Sequence, residues 1–246
     1  MKTLSIRFYE ELNDFLPAKK KKVRYEVNFF GTPSIKDIIE SQGVPHTEID
    51  LILVNGKSVR FNYRIKDEDD ISVYPIFESI DISQLQHLRN KPLRNPKFVL
   101  DVHLRTQARY IRMCGFDAKY ENDFSDQQLI DISVTERRAI LTRDIGILKN
   151  GKVIRGYFVR NTKPVNQIFE IVNRFDLKNL IDEFTRCINC NNKLKHIPKE
   201  KLMMQLPPKV KTNYNDFLYC NKCRKIYWKG SHFIKMNYLV EEIKSS

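Results

Sequence analysis

Hydrophobic and polar residues alternate with period two at the start of the chain. The alternation covers residues 3–9 and returns over residues 23–27, and each stretch predicts a β-strand with one buried face. Between them lies the lysine run 19–22, which predicts an exposed turn and not a targeting signal. The chain therefore opens with two strands joined by a solvated connection.

A short helix and further strands follow. Ser34 is placed to cap a helix that carries isoleucines at positions 35, 38 and 39, and Gly43 ends it. Residues 51–54 predict a buried strand, and Asn55-Gly56 is a strong hairpin signal. Residues 71–75 predict the closing strand.

This order of elements predicts a small β-grasp (ubiquitin-like) domain over residues 1–79. Its turn at 54–56 and the approach to its last strand at 69–71 resemble the sulfur-carrier proteins of thiamine and molybdopterin synthesis. Those proteins act through a C-terminal Gly-Gly, whereas here residues 76–80 read Ile-Phe-Glu-Ser-Ile. The sequence thus excludes sulfur-carrier chemistry and leaves a scaffold or a protein-binding role.

The pattern changes after a polar linker at residues 80–96, which has room for a short helix. Apolar runs now alternate with segments of helical periodicity, such as the one carrying Leu104, Ala108, Ile111 and Met113. The predicted strands cover 98–101, 116–120, 139–142 and 157–159. A capping box at 125–128 opens another helix. Strands that alternate with helices predict an α/β fold, a parallel sheet covered by helices.

Acidic residues follow the predicted strands of this sheet. Asp101 and Asp144 come directly after apolar runs, and Asp126 begins the helix after the second strand. Ligands gather at the carboxyl edge of such sheets, and clustered carboxylates favour Mg²⁺ or Mn²⁺. Helix capping is the alternative for each acid, and Asp123 is a near-equivalent candidate for Asp126. His103 is interpreted as a solvated residue at a helix start.

Four of the five cysteines form two Cys-X-X-Cys pairs. Cys187 and Cys190 are separated by 29 residues from Cys220 and Cys223, and the spacing predicts a tetrahedral zinc site. The alternative is disulfide-bonded or otherwise structural cysteines. A site with four sulfur ligands has no open position for water, so we expect a structural zinc. Cys114 lies among apolar residues and is interpreted as a buried small hydrophobe.

The net charge of +13 belongs to the last two thirds of the chain. Residues 1–79 carry −1, residues 80–186 carry +6 and residues 187–246 carry +8. A basic surface attracts polyanions, of which nucleic acid is the commonest. The chain has no long apolar run and starts directly with a strand, so we expect a cytosolic protein without a membrane span.

From about residue 98 to 239 the chain resembles the Mut-7 C-terminal RNase family, a relative of PIN nucleases with a C-terminal zinc ribbon. The resemblance depends on a small set of sequence words: Phe98-Val99-Leu100-Asp101, Ala108-Arg109-Tyr110-Ile111-Arg112, Gly115-Phe116-Asp117, Ile140-Leu141-Thr142-Arg143-Asp144, Pro164 with Gln167, Arg186-Cys187-Ile188-Asn189-Cys190-Asn191, Cys220-Asn221-Lys222-Cys223, and Tyr227-Trp228-Lys229-Gly230-Ser231-His232. Residues 1–79 resemble the ubiquitin-like domain often fused ahead of this RNase.

The resemblance implies a PIN-like RNase domain at 97–186 and a zinc ribbon at 187–246. It also implies a metal-dependent ribonuclease that uses Asp101, Asp126 and Asp144. One departure is clear, because the family word Leu-Gly-Lys-Leu-Ala-Arg reads Leu104-Arg105-Thr106-Gln107-Ala108-Arg109 here. Arg105 could contact phosphate, or it could pair with a carboxylate and displace the metal.

Two functions remain open at this point: an RNA-cleaving enzyme, and an RNA- or ribosome-binding module with a degenerate site. In either case the partners are RNA and, for the N-terminal domain, another protein. Tyr227 and Trp228 are expected to pack over the zinc core, and stacking on bases is the less favoured alternative. The predicted phosphate contacts are Arg105, Arg109, Arg112, Arg143, Lys222, Arg224, Lys225 and Lys229.

Overall fold

The computed structural model describes residues 1–75 and 96–246. In these residues, the alternating patterns correspond to strands and the helical patterns to helices. The strands are β1 Lys2–Phe8, β2 Tyr25–Phe29, β3 Ile49–Val54, β4 Lys57–Ser58, β5 Asp70–Pro75, β6 Lys97–Leu100, β7 Asp117–Lys119, β8 Ala139–Thr142, β9 Gly156–Phe158, β10 Lys195–His196, β11 Leu218–Tyr219 and β12 Ile226–Tyr227. The helices are α1 Ile35–Ser41, α2 Arg105–Met113, α3 Asp126–Glu136, α4 Ile145–Lys149, α5 Pro164–Arg174, α6 Pro208–Asn213 and α7 Ser231–Ser245.

The described residues divide into two units. The first contains residues 1–75 together with Asp144–Phe158, and the second contains Pro96–Arg143 with Val159–Ser246. The predicted linker, its possible helix and the boundary near residue 79 lie outside the described residues. In the described part of the chain, no helix is long and apolar enough to cross a bilayer.

The first unit is built on a five-stranded sheet of order β2-β1-β5-β3-β4, in which β1 pairs antiparallel with β2 and parallel with β5. The apolar face of α1 belongs to the same core as the inward residues of the sheet. Ser34 caps α1 through a capping box with Asp37, as the sequence predicts. Asn55 and Gly56 have φ of +50° and +77°, so they form the predicted hairpin turn between β3 and β4. The β-grasp prediction is therefore confirmed.

The second unit contains the predicted parallel sheet. Strand β6 pairs in parallel with β7 on one side and with β8 on the other. Ala108, Ile111 and Met113 of α2 are fully or almost fully buried, which confirms the predicted inner face of this helix. Ser125 and Gln128 form the predicted capping box at α3. The fourth predicted strand is observed one residue earlier, as β9, which lies among the residues grouped with the first unit.

The C-terminal part of the second unit forms an antiparallel sheet of order β10-β11-β12. The residues between the cysteine pairs are an ordered excursion with its own small core of Leu202, Leu206, Val210 and Phe217. Helix α7 then packs back on preceding residues, where Phe233 lies 4.7 Å from Phe184 between ring centroids.

Gly115 is required where α2 turns into β7. Its φ of +93° lies in the left-handed region, and a Cβ added there would come within 2.0 Å of the Asp182 carbonyl oxygen. No side chain fits at that distance. The glycine thus allows the chain before the first cysteine pair to pass close to the end of α2.

Candidate functional site

The two Cys-X-X-Cys turns have the same backbone conformation. The residue after each second cysteine is left-handed, with φ of +69° at Asn191 and +60° at Arg224. Its N–H donates to the carbonyl of the first cysteine, at 2.9 Å for Cys187 and 2.8 Å for Cys220. Two turns of this kind present four sulfur atoms toward one point.

The four sulfur atoms lie within 4.8 Å of one another. The Sγ atoms of Cys187 and Cys223 are 3.5 Å apart, and those of Cys190 and Cys220 are 3.3 Å apart. Sulfurs bonded at about 2.3 Å to one tetrahedral ion would be separated by about 3.8 Å, so this cluster needs little expansion to hold zinc. All the cysteines are free thiols, and the disulfide alternative does not apply.

One of the two aromatic residues expected to cover the cluster, Tyr227, contacts it. The Tyr227 hydroxyl donates to Cys187 Sγ at 3.0 Å. Burial, reinforced by the hydrogen bond to Cys187, raises the pKa of Tyr227, so the phenol stays protonated and remains a donor. Trp228 packs against the small core of the excursion. Both residues are half-buried.

Arg112 connects the first cysteine turn to the parallel sheet. Its side chain is 4% exposed, and its guanidinium donates to the carbonyls of Ala118 at 2.8 Å, Ile188 at 3.3 Å and Asn189 at 2.8 Å. The sequence suggested an RNA contact here. The structure instead buries this arginine against the zinc turn, so we remove it from the phosphate-binding set.

Asp117 at the start of β7 joins the same connection. Its carboxylate accepts from Arg138 Nη1 at 2.6 Å and from Asn191 Nδ2 at 2.7 Å. The side chain of Asn191 also accepts from the N–H of Ala118 at 3.1 Å. The residue that ends the first cysteine turn is thus hydrogen-bonded directly to the edge of the sheet.

Asp101 lies at the carboxyl end of β6 with 5% of its surface exposed. Thr142, at the end of β8, donates its hydroxyl to Asp101 Oδ2 at 2.6 Å. Among the described residues Asp101 makes no ion pair. Burying a carboxylate with one neutral hydrogen-bond donor is energetically unfavourable unless a cation binds to it. This observation is the reason that Asp101 fits the role of a metal ligand.

Arg105 and Tyr120 lie close to Asp101. Arg105 is exposed at the first position of α2 and, within residues 1–75 and 96–246, it makes no ion pair with any carboxylate. Tyr120 follows β7 and donates its hydroxyl to the Val102 carbonyl at 3.0 Å. Burial raises the pKa of Tyr120, while the charges of Arg105 and Asp101 act on it in opposite directions. The structure therefore gives no support to Arg105 as a carboxylate partner that displaces a metal.

The remaining two acids stand at helix starts. Asp126 is exposed in the first turn of α3. Asp144 belongs to the first unit, where it caps α4 by accepting from the Gly146 N–H at 2.6 Å. In the described part of the chain, the cysteine cluster is the one group of three or more potential ligands within bonding reach of a single ion. The acids are therefore not a preformed cluster of that kind.

The other predicted phosphate contacts are accessible. Arg143 is exposed, although its Nη1 donates to three successive carbonyls at Val159, Arg160 and Asn161. Lys229 lies 4.0 Å from a carboxylate oxygen of Asp216. The exposed members of the set are Arg105, Arg109, Arg143, Lys222, Arg224, Lys225 and Lys229.

Thr142 and Tyr120, which lie beside Asp101 at the carboxyl edge of the parallel sheet (the acidic edge), had no role in the sequence analysis. Leu100 pairs with Leu141, so strand register alone would have brought Asp101 beside Thr142. Val99 pairs with Lys119, so the same reasoning places Tyr120 beside the end of β6. The sequence could have placed Thr142 and Tyr120 beside Asp101 only if the pairing register of the strands had been known to within one residue.

Two family models match the chain. The Mut7-C RNAse domain matches residues 96–240, and the Mut7-C ubiquitin model matches residues 1–81. No curated protein matches it. A crystal structure of H. volcanii small archaeal modifier protein 1 is similar to 30% of this chain over 98% of its own, with 12% identity and a TM-score of 0.25. A second structure, SAMP1 from Haloferax volcanii, covers 31% and 98% with the same identity and TM-score.

Proposed function

We propose that this chain, which belongs to the Mut7-C RNAse domain family, is a metal-dependent ribonuclease. The observation that carries the proposal is Asp101, a buried carboxylate at the carboxyl end of the central strand, with a neutral hydroxyl donor and no ion pair in the described structure. Buried charges of this kind are paired or coordinate metals. The family suggests the reaction, and the buried acid suggests how the chain supports it.

Asp101 is the proposed principal ligand, with Asp126 and Asp144 as the further oxygen donors. These carboxylates would hold magnesium or manganese, which when bound would activate water for attack and offset the charge that develops at the phosphate. Thr142 acts on Asp101 itself, because its hydroxyl bond to Oδ2 holds the carboxylate in one orientation. This role predicts that Thr142→Val weakens metal binding while Thr142→Ser retains it.

Arg105 and Arg109 are proposed to bind the RNA backbone beside the acid. They are exposed and one helical turn apart on α2, so their side chains lie on the same face. Tyr120 is proposed to stack on a base next to the cleaved phosphate, since its hydroxyl bond fixes the ring beside residue 102. The basic residues of the zinc ribbon extend the phosphate-binding surface.

The zinc ion is proposed to be structural. Four sulfur ligands complete its coordination, and Arg112 and Asn191 connect the cluster to the parallel sheet. Thiolate ligands require reduced cysteines, which is consistent with a cytoplasmic protein.

The test is cleavage of labelled single-stranded and structured RNA by the wild type and Asp101→Asn, with and without Mn²⁺. The mutant is a better control than a chelator, because chelation would also remove zinc. We expect cleavage that requires manganese and is lost in Asp101→Asn, with RNA affinity unchanged or increased because a negative charge is removed.

A non-catalytic RNA-binding module is the second candidate. It is favoured by the absence of a preformed acidic cluster in the described residues. This reading predicts tight, salt-dependent binding by the wild type and by Asp101→Asn, and cleavage by neither. The same assay therefore separates the two functions.

A further inference from the structure

A segment that follows β8 in the chain packs within the first unit. Residues Asp144–Phe158 lie inside the stretch matched by the RNAse model, but they group with the β-grasp fold. Ile147, Leu148 and Val153 are at most 3% exposed. These side chains are packed, so the segment is not an exposed surface loop.

Polar contacts hold the first half of the segment. Lys149 Nζ donates to the Glu40 carbonyl, at the end of α1, at 2.9 Å. His46 lies 2.9 Å from the Val153 carbonyl through Nε2, and this nitrogen carries the hydrogen because a carbonyl only accepts. The other ring nitrogen of His46 lies 2.6 Å from Glu40 Oε1, which orients the imidazole.

A buried carboxylate holds the second half. Glu48 is 1% exposed, and its Oε1 accepts the backbone N–H of Phe158 at 2.7 Å. The ring of Phe158 meets Phe15 edge to face, with 5.5 Å between centroids. A strand N–H that is paired with a side chain fixes the position of β9 relative to the β-grasp core.

The residue that opens this held segment is Asp144. Its carboxylate accepts the Gly146 N–H, so the side chain is tied to the first turn of α4. The same helix ends at Lys149, which is bonded to Glu40. The direction of α4 and the position of the Asp144 carboxylate are thus set together by contacts with residues 40–48.

We propose that the β-grasp unit is an intramolecular positioning element that fixes Asp144 through Glu40, His46 and Glu48. The proposal rests on the ribonuclease function stated above, since Asp144 is one of its candidate ligands. It gives the ubiquitin-like domain a role that requires no protein partner. Glu48, His46 and Lys149 act through Asp144 and are positioning residues.

The test uses full-length Glu48→Leu and Glu48→Gln. The leucine removes the acceptor for Phe158, whereas the glutamine keeps a side-chain oxygen there. Hydrogen exchange of amides 145–158 and the separate values of kcat and KM for RNA cleavage are measured. For Glu48→Leu we expect faster exchange in this segment and a fall in kcat of about tenfold or more with little change in KM. Glu48→Gln should restore most of each.

Lys149→Met is the milder variant, and Lys152→Met, at an exposed position three residues later, is its matched control. We expect the first to loosen the segment and lower kcat, and the second to change neither. Unchanged exchange in Glu48→Leu and Lys149→Met, or faster exchange with unchanged kcat, would overturn the positioning role while wild-type cleavage stands. Absence of cleavage by the wild type would instead contradict the ribonuclease proposal. The exchange measurement would still test whether residues 40–48 hold the segment 144–158 in place.

Discussion

The cysteine cluster and the acidic sheet edge are both candidate metal sites, but they are organised in different ways. The cysteine site brings four ligands within 4.8 Å and is bonded to the sheet through Arg112 and Asn191. The acidic edge has one buried ligand, Asp101, supported by Thr142. Its other two acids are exposed at helix starts. The comparison shows that two short cysteine motifs bring their ligands together, whereas the three acids come from separate elements and, in the described residues, do not lie within reach of one ion.

The largest expected effect tests the cysteine side of this comparison. Cys187→Ser should lose zinc and unfold the C-terminal residues 187–246, because structural zinc contributes about 10–16 kcal/mol of apparent binding free energy in zinc-finger peptides. The zinc content of the purified variant measures the loss of the ion, and thermal unfolding measures the loss of structure. Cys114→Ala is the control and should retain zinc, since burial raises the pKa of the Cys114 thiol to about 12 and the residue lies outside the cluster. A Cys187→Ser protein that melts like the wild type would contradict the structural role.

The next effect sharpens the connection between the cluster and the sheet. Arg138 is 8% exposed and pairs with Asp117 at 2.6 Å and with Glu136 at 2.7 Å. Arg138→Met should cost about 3–5 kcal/mol in unfolding free energy, because it removes the short buried ion pair of Asp117 and leaves only the longer pair with Arg186 at 3.7 Å. Denaturant unfolding measures the loss, and the exposed neighbour substitution Arg137→Met should cost far less. An equal loss of unfolding free energy in the two variants would show that this ion pair does not stabilise the fold.

A smaller effect probes the acidic side. Arg105→Ala should weaken RNA binding by about tenfold and lower the slope of log affinity against log salt by about one, as expected for one lost phosphate contact. Filter binding across a salt series measures both quantities. Lys235→Met, an exposed charge change on α7, is the comparison. If Arg105→Ala bound RNA as tightly as the wild type but bound Mn²⁺ more tightly, Arg105 would be a competitor of the metal.

The smallest effect is a pH dependence of stability. Burial would raise the pKa of Asp117, but its bonds from Arg138 and Asn191 outweigh burial and lower that pKa below the usual range. A depressed acid pKa contributes stability that is present above the unfolded value of about 3.9 and is lost as pH falls through the folded value. Unfolding free energy measured from pH 5 downward should therefore fall less steeply in Asp117→Asn than in the wild type. Parallel curves would show that this carboxylate is not the source.

Local signals predicted more of the molecule than distant ones. The capping boxes at Ser34 and Ser125, the Asn55-Gly56 turn and the two cysteine pairs all depend on residues within a few positions, and the structure has them as predicted. Arg112 was assigned to the surface because its spacing fits either face of a helix. Its burial depends on the zinc turn, which lies more than seventy residues later in the chain.

The domain arrangement was also difficult to predict from pattern. Asp144 follows β8 in sequence, so the pattern predicts that it belongs to the parallel sheet, whereas the structure groups Asp144–Phe158 with residues 1–75. Glu48 and His46 are buried and hydrogen-bond to this segment, and both residues occur in a polar stretch that gives no apolar pattern. The separation of residues 97–186 from 187–246 as domains stays a prediction.

The most direct measurement is Mn²⁺ binding to zinc-loaded protein, followed by the electron paramagnetic resonance of free manganese, for wild type and Asp101→Asn. The wild type should bind Mn²⁺ without releasing zinc, and Asp101→Asn should lose this binding while keeping its zinc. Binding that is the same in both proteins, or absent from the wild type with RNA present, would contradict the claim that the acidic edge holds the reactive metal.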